Sequence, residues 1–198
     1  MKVTALAGGI GGARFLRGLR AARPDAEITV IGNTGDDLWI HGMRVCPDLD
    51  TVMYTLGGGI SAERGWGREG ETFVVKEELA AYGVEPTWFG LGDKDLATHL
   101  VRTQSLQAGF KLSAITAALC ERWQPGVRLL PMSDDRAETH VLIDDPEDPA
   151  RQVAIHFQEW WIRHRAQVPA RGFVVIGIDD AKPAPEVIDA ITHADLIV

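Results

Sequence analysis

The 198-residue sequence is short of cysteine, of positive charge and of long apolar runs. Its two cysteines, Cys46 and Cys120, have neither CxxC spacing nor neighbouring histidine pairs. That excludes a disulfide framework and a structural zinc site, and it fits reduced thiols in a cytoplasmic protein. Twenty Lys and Arg residues face 28 Asp and Glu, a formal net charge of −8. An acidic balance of that size argues against a broad footprint on a phosphate backbone, so no nucleic-acid partner is expected. No apolar stretch approaches the roughly 20 residues that span a bilayer, and Met1-Lys2-Val3-Thr4 runs straight into a strand-like segment. Neither a membrane span nor a signal peptide is expected.

What the chain does have is an ordinary globular composition, 45% hydrophobic and 24% charged, together with 21 glycines. Val3–Ala7 reads as a strand, Gly8-Gly9-Ile10-Gly11-Gly12 as a turn, residues 13–22 as a helix with Phe15, Leu16, Leu19 and Ala22 on its apolar side, and Glu27–Gly32 as a second strand. Strand, glycine-rich turn, helix and strand within about 30 residues make a βαβ unit, and a parallel sheet follows from it. Further helices are expected near 48–56, 76–82, 95–103, 112–122 and 184–193. Gly57 to Gly70 reads as a long surface loop or lid. Strands are expected over 138–143 and 151–156, separated by a solvated turn from Asp144 to Pro149. The continuous apolar runs Phe173–Gly177 and Asp195–Val198 suit buried parallel strands. The expected architecture is one Rossmann-like α/β domain over residues 1–198, a parallel sheet with helices on both faces, with a loop or helical insertion around 57–125 and ligands at the C-terminal ends of the strands.

The first turn sits where a phosphate loop belongs, with helix N-terminal amides turned toward a ligand. It matches neither strict template. Ala13-Arg14-Phe15 stands where a Walker sequence needs Gly-Lys-Ser/Thr, and the dinucleotide fingerprint read from Gly9 and Gly11 meets Arg14 instead of its third glycine. A bare strand–helix turn needs one or two glycines rather than four in five. Asn33-Thr34-Gly35-Asp36-Asp37 and Pro47-Asp48-Leu49-Asp50-Thr51 bring acids to the same sheet edge. They fit either as Mg²⁺ ligands, which need one or two carboxylates beside substrate phosphates, or as a polar turn and a helix N-cap. Gly90-Leu91-Gly92-Asp93-Lys94-Asp95 and Pro131-Met132-Ser133-Asp134-Asp135 repeat the theme. His99, His140 and His156 show no metal-ligand spacing and read as ordinary helix or strand residues. Phe157, Trp160 and Trp161 read as helix packing, whereas Trp66 and Trp88 flank loop glycines where an aromatic can cover a planar ligand.

Six ordered segments together resemble the 2-phospho-L-lactate transferase family of coenzyme F-420 biosynthesis: Gly8 to Arg14, Asn33 to Trp39, Pro47 to Thr51, Leu91-Gly92-Asp93-Lys94-Asp95-Leu96-Ala97-Thr98-His99, Leu130 to Asp135, and His156 to Trp161. The resemblance implies a magnesium-dependent transferase. Its donor is a guanosine diphosphate carrying enolpyruvate or lactate on the β-phosphate, its acceptor is a ribityl hydroxyl of the deazaflavin Fo, and GMP is released. The Ala/Arg-rich wording of Gly18 to Arg23 resembles actinobacterial members and favours the enolpyruvyl donor. By the same resemblance, Gly8, Gly9, Gly11, Gly12, Arg14 and Asn33 hold the donor's phosphates and nucleotide. Asp50 and Asp37 are the catalytic candidates, Asp50 and Asp48 the metal candidates, and Asp50, Phe89, Gly90, Gly92 and Asp93 the Fo contacts. Gly90 stands where some relatives carry a longer residue. Family members run well past 198 residues, so a C-terminal third is expected to be missing, and apolar surfaces on such sheets leave a homodimer open. Two rival readings remain: a non-catalytic nucleotide-sugar or dinucleotide-binding regulator sharing the glycine-rich opening, and a nicotinamide oxidoreductase, which the broken fingerprint disfavours.

Overall fold

The computed structural model describes residues 1–148 and 150–198; Pro149, the last residue of the expected Asp144–Pro149 turn, lies outside them. Strand β1 (Lys2–Ala7) leads through Gly8-Gly9 into helix α1 (Ile10–Ala22), and the chain returns as β2 (Glu27–Gly32). β1 and β2 pair in parallel from Lys2↔Glu27 to Ala7↔Gly32. β5 (Arg128–Pro131) adds to the far side of β2, and β9 (Leu196–Ile197) to the free side of β1, giving a four-stranded parallel sheet of order β5-β2-β1-β9. The α/β class expected from the first 32 residues is therefore the one observed. Helix α1 begins three residues earlier than its apolar pattern suggested, so Gly11 and Gly12 lie in its first turn.

Ala13 and Leu16 of α1 pack onto Val3, Ala5 and Val30 of the sheet, with α2 (Pro47–Leu56) and α5 (Leu112–Trp123) completing this core. Leu16 is fully buried, worth about 1.5–3 kcal/mol in transfer free energy. Phe15, expected on the same stripe, is 54% exposed, because it sits about 100° round the helix from Leu16. Between β2 and α2, a short hairpin of β3 (Leu38–Ile40) and β4 (Met43–Val45) turns on His41-Gly42, both with positive φ (49° and 75°). Two successive positive φ angles make the primed turn that matches strand twist. The hairpin buries Leu38, Ile40 and Val45 against Phe89 and Leu91. The insertion holds a turn-rich segment over 57–73, α3 (Val74–Ala81), α4 (Asp93–Gln107) and α5.

A separate antiparallel sheet, β7-β6-β8, is built from β6 (Glu138–Asp144), β7 (Gln152–His156) and β8 (Gly172–Ile176). One π-helical turn follows β7 at Glu159–Arg163, and α6 (Val187–Thr192) precedes β9. Two expectations are corrected here. The Phe173–Gly177 run is neither parallel nor buried: it forms an edge strand antiparallel to β6, and Phe173 is 59% exposed. Residues 196–197 do pair in parallel with β1, but they form the sheet's outer edge and Leu196, Ile197 and Val198 are all exposed. Apolar runs predict burial on both faces only when a neighbour covers each face; here the cover is partial, Trp160 meeting Phe173 edge-on at 6.2 Å while the run stays exposed.

Leu6, on central strand β1, is 60% exposed while Leu16 is fully covered. Leu16→Ala should cost about 2–5 kcal/mol, and Leu6→Ala less than about 0.5 kcal/mol. Urea denaturation of the two variants checks both values; equal losses would contradict the described packing.

Candidate functional site

The site forms where β1 and β2 end. Asp48, in the first turn of α2, is buried, and its carboxylate reaches across to the Gly8-Gly9 turn. A Cβ on Gly9 would lie 2.8 Å from Asp48 Oδ1, and one on Gly8 3.3 Å from Oδ2. Glycine is required at Gly9 for this close approach. Asn33 holds the carboxylate from the other side: Asn33 Nδ2 donates to Asp48 Oδ2 at 2.8 Å, and the Gly35 backbone N–H orients that amide by donating to Asn33 Oδ1 at 2.9 Å. Burial raises the pKa of Asp48, opposed by Asn33 and by a backbone hydrogen bond from Gly9. Gly8 and Asn33 therefore act on Asp48 first.

Adjacent residues Asp36 and Asp37 go opposite ways. Asp36 shares a cleft with Asp48; burial, then the Asp48 charge, push its carboxyl up to about 6 against a hydrogen bond from Asn33. Asp37 is completely buried, 3.2 Å from Arg44 Nη2, and its backbone carbonyl faces His156 Nε2 at 3.2 Å. Burial lifts Asp37 to about 7, more than Arg44 can offset. Arg44 also reaches Glu138 Oε1 at 3.3 Å, tying the hairpin to β6.

Asp50, two residues after Asp48 and so on the opposite side of α2, is 4% exposed. Arg102 of α4 donates to its Oδ1, while Oδ2 is buried without any hydrogen-bond partner. The pKa of Asp50 is raised by burial, against the pull of Arg102 and His99. Arg102 Nη1 lies 3.2 Å from His99 Nδ1. A guanidinium only donates, so Nδ1 accepts and the ring proton sits on Nε2, 3.3 Å from Asp95 Oδ2. Tyr54 donates to Asp95 Oδ1 at 2.6 Å. Asp95, His99 and Arg102 share one face of α4, and Asp50 and Tyr54 one face of α2.

A cleft of about 640 Å³ opens over this edge. Gly9, Gly11, Asp36 and Asp48 line its polar end, and Trp66, Trp88, Phe89 and Gly90 its aromatic wall. Phe157 and Trp161 also line it, stacked at 8° with centroids 6.3 Å apart. These two are corrected from helix packing to cleft wall: the π-helical turn leaves Trp161 57% exposed. Lys76 of α3 is a further lining residue. A smaller chamber of about 80 Å³, lined by Asp50, Tyr54, Asp95 and His99, shares Thr51, Trp66, Phe89 and Gly90 with the main cleft.

Of the sequence candidates, Gly9, Gly11, Asp48, Phe89 and Gly90 line the cleft and Asp50 the chamber. Gly12 packs against Ala7, and Arg14 is exposed beside Gly65. Gly92 precedes α4 with Glu71 against it, and Asp93 accepts from Thr72 Oγ1 and the Val74 and Val75 backbone N–H groups at the start of α3. Asp36 belongs to the acid loop that the sequence offers to Mg²⁺, whereas Lys76 and the grouping of Arg102, His99 and Asp95 on one face emerge only in the structure. The 95, 99, 102 spacing is the signal that carried that last group.

Fold and cleft define an α/β protein whose glycines and acids meet at the C-terminal edge of a parallel sheet, where such sheets bind ligands. The chain belongs to the family described as 2-phospho-L-lactate transferase CofD, whose model matches residues 3–198. It is 64% identical to a phosphoenolpyruvate transferase of Nocardia farcinica, covering 100% of this chain and 59% of that protein. It is 68% identical to the phosphoenolpyruvate transferase of Streptomyces griseus, covering 100% of this chain and 61% of that one. The chain thus spans about three-fifths of the length of these relatives. Among solved structures, a UPF0052-family protein of Bacillus halodurans matches with a TM-score of 0.60 at 18% identity, covering 100% of this chain and 58% of that one, a likeness of fold.

The Asp37 carboxyl binds a proton up to about pH 7 in the folded state, whereas an ordinary aspartate in the unfolded chain releases it near 3.8. Its contribution to stability therefore falls as pH rises from about 4 to 7 and is constant above. Asp37→Asn, an uncharged stand-in for the protonated acid, should flatten that part of the stability–pH profile, so that the variant gains stability relative to wild type as the pH rises from about 4 to 8. Chemical denaturation at several pH values reads the change; an unchanged slope would contradict the burial assigned to Asp37.

Proposed function

We propose that this protein transfers a phosphoenolpyruvyl, or alternatively 2-phospholactyl, group from a guanosine diphosphate-linked donor to the ribityl hydroxyl of the deazaflavin Fo, with release of GMP, in coenzyme F-420 biosynthesis. The observation that carries this reading is the Asp36–Asp48 pair at the glycine turn, one chamber away from the unpartnered Oδ2 of Asp50. The names of the relatives, phosphoenolpyruvate transferases, supply the group transferred.

The residues fit a Mg²⁺. Asp36 and Asp48 line the same end of the cleft, and the Asp48 charge adds to burial in holding the Asp36 carboxyl above its ordinary range. Two carboxylates completed by substrate phosphates are the usual protein share of a Mg²⁺ site. Bound there, the ion would supply charge neutralisation for the donor's phosphates. Asp50 drops out as a ligand in this reading, because Arg102 occupies one of its oxygens.

The protein's own groups then have separate tasks. Gly9 and Gly11, at the start of α1, present backbone and a positive helix end to the phosphates without side chains in the way. Trp66, Trp88 and Trp161 offer flat apolar surface to a tricyclic ring. The acceptor hydroxyl oxygen attacks the β-phosphorus, the bond from that phosphorus to the bridging oxygen breaks, and GMP leaves with that oxygen. The hydroxyl proton passes to Asp50, which lines the chamber and whose Oδ1 is held by Arg102. Phosphoryl transfer of this kind depends on alignment and charge stabilisation more than on covalent machinery.

Incubating Fo and Mg²⁺ with each donor, and weighing the products by mass spectrometry, tests the reading: the enolpyruvyl and lactyl products differ by two hydrogens. Asp50→Asn, which keeps a polar group for Arg102 to meet, should lower kcat by about 10²–10⁴. Full transfer by that variant would remove Asp50 from the mechanism, and binding of nucleotide without transfer would favour a regulator.

A further inference from the structure

We infer that Lys76 is the residue that recognises the carboxylate of the transferred group and so selects a carboxylated donor; this rests on the transferase reading above. Four basic residues fall between 57 and 94, and three are already committed. Arg64 lies over the Trp66 and Phe73 rings, at 5.5 and 5.7 Å, and donates to the Arg68 carbonyl. Arg68 lies over Trp123 and donates to the Lys94 carbonyl. Lys94 donates to the Glu69 carbonyl. Lys76 alone has no ion pair or side-chain hydrogen bond among the described residues, although it is half-buried and lines the cleft.

It is also the one cationic side chain among the residues lining that cleft, against two acids, Asp36 and Asp48. Either donor brings two kinds of negative charge. The phosphates go with the glycine turn and the acid pair. The carboxylate of the enolpyruvyl or lactyl group remains, and a cleft with acids on its floor repels it unless a cation faces it. Lys76 supplies that cation from α3, beside Trp66 and Gly90. A lysine suits a small carboxylate free to turn, since its ammonium is a point charge rather than a planar fork.

The test compares wild type, Lys76→Met and Lys76→Arg. The Met variant should raise the donor KM at least about tenfold, the loss of one charge-assisted contact. The Fo KM should stay put, and Lys76→Arg should recover part of the loss. In parallel, calorimetry with 2-phospholactate and with isopropyl phosphate, in which a methyl group replaces the carboxylate, reads the contact directly. Lys76→Met should weaken the first and leave the second unchanged. An unaltered donor KM, equal weakening of both phosphates, or no preference of wild type for 2-phospholactate would each overturn the assignment. Absence of transfer by wild type, with Lys76-dependent preference for 2-phospholactate intact, would instead overturn the acceptor chemistry and leave the carboxylate site standing.

Discussion

The contact of the Asp48 carboxylate with the side-chain-free Gly8-Gly9 turn is the constraint on which the site depends. It joins the N-terminus of α1 to the first turn of α2, and through Asn33 it fixes the loop after β2. Any side chain at Gly9 would meet an acid oxygen at 2.8 Å. The glycines thus serve close approach more than flexibility. The same contact places a buried negative charge at a positive helix end, which is favourable, and it sets the Asp48 charge beside Asp36, which is not.

From this junction the cleft is polarised. Acids and glycines occupy one end, aromatic side chains the other, and the buried Asp50 chamber opens between them. Arg102 gives Asp50 its orientation at the expense of a deep polar network that reaches Tyr54. Buried groups of this kind contribute little net stability, because desolvation offsets attraction. Their value lies in fixing the orientation of the Asp50 carboxylate.

Much of the fold was legible from local pattern. The strand–glycine–helix–strand opening required a parallel pair, and the pair is there. Segments whose context lies outside their own sequence were read less well. The β3–β4 hairpin went unseen because its strands have three residues each and its turn is His41-Gly42 rather than a strong turn dipeptide. Phe173–Ile176 carries the apolar signature of a buried strand but meets a neighbour along only one edge. In the site, glycines and loop acids were legible by motif. Direction was not: Asp36 and Asp37 differ by one position and face the cleft and the interior respectively. Asp95, His99 and Arg102 were legible in principle, since their helical spacing puts three polar side chains on one face.

Titration of Mn²⁺, as a spectroscopic stand-in for Mg²⁺, against wild type and Asp36→Asn in the presence of GMP tests most directly whether the Asp36–Asp48 pair is the metal and phosphate end of the cleft. Asp36 is partly exposed, so the substitution should leave the fold intact. Affinity at least about tenfold weaker in the variant is the expected result. Equal affinity for both proteins would contradict it.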